Sequence, residues 1–162
     1  MKRLTALILV LFISCSLLSC SKGKEEVVCY SFSGENEYFA ITRGSIIPNY
    51  SSEGIIVGYS FDGGYLEIIQ EEIFSEIISC STICYTMMDG ERTNVLIEGM
   101  KAVENRPINI NRKLGRIDTS PKIMNQNGLD TKQLLWFELK VTDINGKEEI
   151  YEMPLELTPI YD

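Results

Sequence analysis

The strongest constraint on the fold is a strict two-residue alternation late in the chain. Leu135-Trp136-Phe137-Glu138-Leu139-Lys140-Val141-Thr142-Asp143 puts Leu135, Phe137, Leu139 and Val141 on one face. Asn145-Gly146 then turns the chain, a dipeptide suited to the positive φ angles of a tight hairpin. On the return, Tyr151, Met153, Leu155 and Leu157 alternate with Glu152, Pro154 and Glu156. One face is buried and one is wet, as in an antiparallel sheet that covers a core on one side. Pro154 cannot donate to a ladder, which predicts an edge position or a strand irregularity there.

Other segments carry the same signal. Glu26 to Phe32 and Glu37 to Thr42 are β-branched and aromatic, with Ser33-Gly34-Glu35-Asn36 as a turn between them. Ile55 to Phe61 ends at Asp62-Gly63-Gly64, and Thr82 to Met88 and Arg92 to Ile97 flank the turn dipeptide Asp89-Gly90. Tyr65 to Ser79 is ambiguous. Leu66, Ile69, Ile73 and Ile77 follow helical spacing and predict one helix over 65–79, although Ile68 and Ile78 fall off that face and isoleucine equally suits strands. The fold expected is therefore mainly β: a small antiparallel β-sandwich or partly open barrel, with one helix near 65–79.

The first twenty residues concern destination. Lys2 and Arg3 precede an apolar run from Leu4 to Leu18, and Leu17-Leu18-Ser19-Cys20 closes it. Fifteen residues broken by Thr5, Ser14, Cys15 and Ser16 fall short of the roughly 20 a spanning helix needs, and suit an export signal. The pattern resembles the lipobox of bacterial lipoproteins. That resemblance covers only the targeting segment. It implies a signal peptide over 1–19 and a diacylglycerol thioether on Cys20, which becomes the mature N-terminus. Ser21 in the next position resembles lipoproteins moved to an outer membrane. Lys24-Glu25-Glu26 resembles the lysine-plus-two-acids signal of surface-exposed lipoproteins in the Bacteroidetes group, and reads equally as part of a charged linker.

Residues 20–26 contain no large apolar side chain and form a tether, leaving 27–162 as a single β-rich domain. Loss of Lys2 and Arg3 with the signal takes the net charge from −8 to −10. That sign disfavours nucleic acid and electrostatic adhesion to anionic lipid, and favours solubility or a cationic partner. One segment departs from it. Lys101, Arg106, Arg112, Lys113, Arg116 and Lys122 are opposed only by Glu104 and Asp118. With Pro107, Gly115 and Pro121 between them, 101–132 reads as a long basic connection holding one short strand around Ile108-Asn109-Ile110. It is either a patch that docks an anionic partner or the molecule's own acidic face, or an exposed loop kept wet by its charges.

No residue pattern names a reaction. The chain has no histidine, which removes Ser-His-Asp and Cys-His catalysis and histidine-ligated metals. Gly63-Gly64 lacks the following Lys-Ser/Thr of a phosphate loop. Asp143 to Glu148 superficially resembles a calcium loop but lacks ligands at the required spacing, and a hairpin turn accounts for it better. Glu71-Glu72-Glu76 and Glu148-Glu149-Glu152 read as solvated faces rather than catalytic pairs. Cys29, Cys80 and Cys84 remain after lipidation. On one strand Cys80 and Cys84 lie about 13 Å apart, so a disulfide would join Cys29 to Cys80 or Cys84; otherwise all three are small buried hydrophobes. Trp136 with Tyr38, Tyr59, Tyr65, Tyr85 and Tyr151 could line a sugar- or peptide-binding surface, or simply pack across strands.

The expected function is thus a non-catalytic, lipid-anchored envelope lipoprotein that binds a ligand or supports a complex. Its partners would be the membrane, through the anchor, and a protein or glycan; no cofactor is expected beyond the lipid on Cys20. The alternative is an inhibitor or immunity-type lipoprotein that binds a cationic protein, and a small histidine-free hydrolase is the remaining reading. Location is expected in the cell envelope, at the outer membrane.

Overall fold

In a computed structural model, residues 27–54, 56–88, 90–104, 106–119 and 135–161 are described. They form ten strands and, among the described residues, no helix. The strands are β1 (Val27–Glu35), β2 (Phe39–Tyr50), β3 (Ile56–Asp62), β4 (Tyr65–Ile68), β5 (Ile77–Met88), β6 (Glu91–Lys101), β7 (Arg112–Lys113), β8 (Arg116–Thr119), β9 (Leu135–Asp143) and β10 (Glu148–Tyr161). All pairs are antiparallel, in the order β6-β5-β9-β10-β1-β2-β3-β8, with β4 joining β2 and β7. The sheet curls until it nearly closes into a barrel.

Two devices produce the curl. The first is β10, whose residues Glu148 to Leu155 ladder with β9 and whose residues Glu156 to Tyr161 ladder with β1. Pro154 stands one residue before the change of partner, so the strand irregularity expected of it is where the sheet turns its corner. The second is a broken strand. β2 pairs through Phe39–Thr42 with β4 and through Ser45–Tyr50 with β3, and Gly63-Gly64 separate those two partners. Opposite the break, Arg43 takes a φ of 58° and β2 shifts register against β1. An extra residue in one strand bends it and increases its twist, which suits a barrel corner. Gly64, with φ 77°, is required there, since a Cβ would lie 2.2 Å from the Thr42 carbonyl oxygen.

The inner face fills the barrel. Phe39, Ile41, Phe61, Leu66, Leu114, Leu135, Phe137, Leu139 and Val141 are fully buried within it. Leu96 of β6 reaches the corner beside Gly63, where a Cβ would lie 2.9 Å from its Cδ2, so the far end of the sheet folds over onto β3 and β4. The interior is packed side chains rather than a lumen.

The 65–79 segment corrects the helical expectation. Leu66 and Ile77 are buried, but on two different strands, while Ile69 and Ile73 are exposed. Pairing with β2 captures Tyr65 to Ile68, and the Tyr38 carbonyl accepts the amides of Ile69 and Gln70. Tight turns then run from Gln70 to Ile73 and from Glu71 to Phe74, and Phe74 takes the buried place. The short strand expected at Ile108–Ile110 is also displaced. Residues 106–111 are extended but outside any ladder, and the pairing falls on β7 and β8 instead.

Candidate functional site

Among the described residues the inner face is occupied by packed side chains, which directs attention to the ends of the barrel. The described cavity is an open groove of about 380 Å³ at the end where β2 begins. The chain builds it from two non-ladder segments. After β4, the turns over 70–74 swing Phe74 inward, and its ring packs 5.4 Å from that of Tyr151. After β6, residues 106–111 run back across the opening, held by a 2.7 Å hydrogen bond from the Ile108 amide to the Ile77 carbonyl. Pro107 lacks an amide hydrogen and suits a stretch that joins no sheet.

The groove has an apolar floor and a polar rim. Phe74 and Ile110 are buried, Ile68 and Ile108 half-buried, and Glu71, Ser75, Asn109 and Asn111 stand at the edge. Asn111 Oδ1 accepts the Ile68 amide, clamping the far wall to β4, and Asn109 Oδ1 accepts the Asn111 amide at 2.9 Å. The Ser75 hydroxyl donates to the Glu72 carbonyl at 2.8 Å, so its proton is already committed. Behind the floor, Tyr151 packs on Tyr38 at 5.0 Å and donates to Glu149 at 2.7 Å. Burial, then Glu149, pushes the Tyr151 phenol up to about 12. This arrangement can bury an apolar group and hydrogen-bond its flanks. It presents no activated nucleophile.

Cations stand at this end, Arg106 beside Pro107 and Lys147 in the β9–β10 turn, together with exposed Glu72 and Glu76 and with Glu71, which lines the groove. Across it, Asp143 closes the β9–β10 turn, its Oδ1 accepting the amides of Asn145 and Lys147 at 2.8 Å each. Those bonds hold its carboxyl below the ordinary range, and they occupy an oxygen that a calcium loop would need. Among the described residues no group of acids or thiols is placed to hold a metal ion.

The basic residues singled out in the sequence do not converge. Arg106 is exposed and pairs with Glu104 at 3.3 Å, Lys113 reaches Asp62 at 3.4 Å, and Lys101 and Arg116 stand exposed at opposite ends of the segment. Arg112 turns inward, donating to the buried Thr82 hydroxyl at 3.2 Å and lying 3.8 Å from Glu98. Among the described residues, Arg112 is therefore turned away from any exposed patch. Each of the three paired cations is matched to a local acid. Lys122 and Cys20, the lipid site that the lipobox resemblance implies, lie outside the described residues.

Cys29, Cys80 and Cys84 are free thiols. The disulfide expected from Cys29 to Cys80 or Cys84 is not made. Cys80 and Cys84 belong to the packed interior, whereas Cys29 precedes the inward Tyr30 and faces the other way, with β9 and β10 between β1 and β5. Burial pushes the Cys84 thiol up to about 12, the reverse of a reactive cysteine.

The aromatic residues also part company. Tyr59 is in the core, Tyr38 and Tyr151 back the groove, and Tyr65 lies under Arg43 at 5.6 Å. Tyr85 and Trp136 stack on the outer face, with rings 6.3 Å apart, and Arg92 covers the Tyr85 ring at 3.9 Å. Glu138 accepts from Arg92 at 2.7 Å, and the Tyr85 hydroxyl donates to Glu152 at 3.0 Å. Tyr85 is only 6% exposed, so its ring is not open to a sugar, while Trp136 beside it is half-buried. Sequence reading missed the groove because Phe74 and Ile108 come from segments 34 residues apart. Their one local signal was the Asn- and Pro-rich break in periodicity at 105–111.

No protein-family model matches this chain, and neither a curated protein nor a solved structure matches it.

Proposed function

We propose that this chain is a non-catalytic lipoprotein of the bacterial envelope, anchored through Cys20, that binds a ligand with the end of its barrel farthest from the tether. One observation carries the reading: the groove and Val27, the first described residue, lie at opposite ends of β2. The groove adjoins Phe39, while Val27, where the tether joins the domain, lies beside the Tyr50 end. Eleven residue steps of strand separate those ends by at most about 36 Å, shortened by the bend at Arg43. A filled interior and buried, unactivated thiols argue in the same direction, away from catalysis. The lipid anchor is tested by Cys20→Ala, which should leave an unlipidated, unprocessed precursor. Unchanged mature size and membrane retention would refute it. A photo-crosslinking residue at Asn109 should give defined adducts in cells while one at Ile83, on the outer face, gives none; equal labelling from both removes the groove from consideration.

The acid around the groove favours a cationic partner as the second reading, an inhibitor or immunity-type role. Glu71, which lines the groove, and the exposed Glu72 and Glu76 of the same segment would steer a basic protein to the apolar floor. Binding would then weaken steeply with salt and with Glu71→Gln and Glu72→Gln together. Salt-independent binding would return the choice to a glycan or neutral peptide.

A further inference from the structure

The tether end of the barrel has a composition unlike the rest of the chain. β1 through Gly34, β2 from Ser45, β3 through Phe61 and β10 from Leu157 to Tyr161 contain no charged residue. Between Ser45 and Phe61 the one charge is Glu53, in the turn joining β2 to β3. A protein in which 23% of residues are charged thus has four adjacent strand ends without any, and Asp162 follows only after them. The register brings these ends together: Val27 lies opposite Tyr161, Cys29 opposite Ile160, Tyr30 opposite Ile46 and Tyr50 opposite Ile56.

Large apolar side chains are exposed around this end. Ile47 is 42% exposed, Tyr50 42%, Val57 51%, Ile160 45% and Tyr161 50%. Isoleucines are exposed at the groove end too, but there they alternate with Glu71, Glu72, Glu76 and Glu148. A charge-poor apolar rim in water is costly to leave uncovered, and such rims mark interaction surfaces.

We propose that this rim rests in the headgroup layer of the phospholipid bilayer that holds the lipid of Cys20, an inference that depends on the lipoprotein reading above. Seven residue steps separate Cys20 from Val27, a reach of about 25 Å even when fully extended. The anchor therefore keeps this end within that distance of the membrane. Tyr50 and Tyr161 combine an apolar ring with a polar tip, the chemistry of side chains that settle at a membrane–water boundary. The four strand ends themselves carry no charge, which suits a zwitterionic surface, while the acids that flank them (Glu25 and Glu26 before Val27, Glu53, Asp162, and Asp118 on the neighbouring β8) and the net charge of −10 on the mature chain oppose an anionic one. Held this way, the barrel stands upright and the groove points away from the lipid.

The test uses the full chain, exported and processed in bacteria, then purified and reconstituted into phosphatidylcholine vesicles. In a Trp136→Phe background, Val57→Trp or Tyr161→Trp reports on the rim and Ile144→Trp on the opposite end. With lipids brominated near the headgroup, the rim tryptophans should lose most of their emission relative to unbrominated vesicles, and Ile144→Trp should keep its own. Two rim positions guard against one variant failing to fold. Unquenched rim tryptophans in a protein whose mass shows diacylglycerol on Cys20 would overturn the inference and leave the anchor standing. The same result with a dimer crosslinked through the rim would assign the surface to a second copy. A Cys20 without lipid would overturn the inference and the anchor together.

Discussion

The ring of Phe32 occupies the space where Gly44 would carry a side chain: a Cβ there would stand 2.0 Å from Cε2. Phe32 is buried and stacks on Phe61 at 5.0 Å, so it has little room to yield. Gly44→Ala should therefore destabilise the barrel by about 1–3 kcal/mol, the usual range for overpacking. Urea unfolding would show a lower midpoint at unchanged slope. Adding Phe32→Leu should recover part of the loss, because the two sites share one space.

Arg92 ties three strands on the outer face, covering Tyr85 of β5 and pairing with Glu138 of β9. Arg92→Ala would leave Glu138, whose side chain is 13% exposed, without its cation. A loss of about 1–2 kcal/mol is expected, and Arg92→Lys should recover only part of it, since an ammonium cannot reproduce the flat guanidinium stack. A double-mutant cycle with Tyr85→Leu measures the stacking share; zero coupling would reject it.

The three free thiols should separate by burial. A thiol reagent applied to the folded protein, with no reductant, should label Cys29 first and reach Cys80 and Cys84 only on unfolding. Burial raises both interior thiols, Cys84 to about 12. Failure of Cys29 to label until a reductant is added would revive the disulfide.

Alkali should unfold this protein through the same burial. Cys84, Tyr85 and Tyr151 are each raised to about 12, from ordinary values of 9.0 for the thiol and 10.0 for the phenols. A raised value in the fold means that the neutral form is preferred there. Its stabilisation is complete below the ordinary value and disappears as pH climbs towards 12. The denaturation midpoint should fall between pH 9 and 12, and Tyr85→Phe with Tyr151→Phe should flatten that fall. An unchanged slope in the double variant would remove the phenols as its source.

Acid acts on the β9–β10 turn in the opposite sense. Asp143 is held below its ordinary 3.8 by the Lys147 and Asn145 amides, and Glu149 below 4.5 by Lys147 and Tyr151. Their contribution is present above those ordinary values and is lost as pH falls through the lowered ones. Asp143→Asn should blunt the loss of stability below about pH 4, and an unaltered acid limb would show that the turn is not its source.

Much of this protein is written in its local sequence. The alternation of Leu135 to Val141 and of Tyr151 to Leu157 fixed a hairpin with one buried face, and Gly146 and Gly90 both take the positive φ of 82° that their turns require. Period-two patterns are legible because each residue's face follows from its neighbour's. The same sequence determined the charge and the lack of histidine, and its first twenty residues hold the basic, apolar and cysteine pattern that resembles a lipobox.

Tertiary structure decided what local pattern left open. Leu66, Ile69, Ile73 and Ile77 satisfy a helical spacing, yet β2 offers an unpaired edge that takes Tyr65 to Ile68 as a strand, and Phe74 fills the gap instead. Arg112 looked like part of a surface patch, but the curl of the sheet brings Thr82 and Glu98 to it from β5 and β6. Whether two cysteines meet, whether an arginine faces water, and whether a groove opens between residues 74 and 108 all depend on which distant strands become neighbours. That choice is made by the free energy of filling one common core, and no short window of sequence contains it.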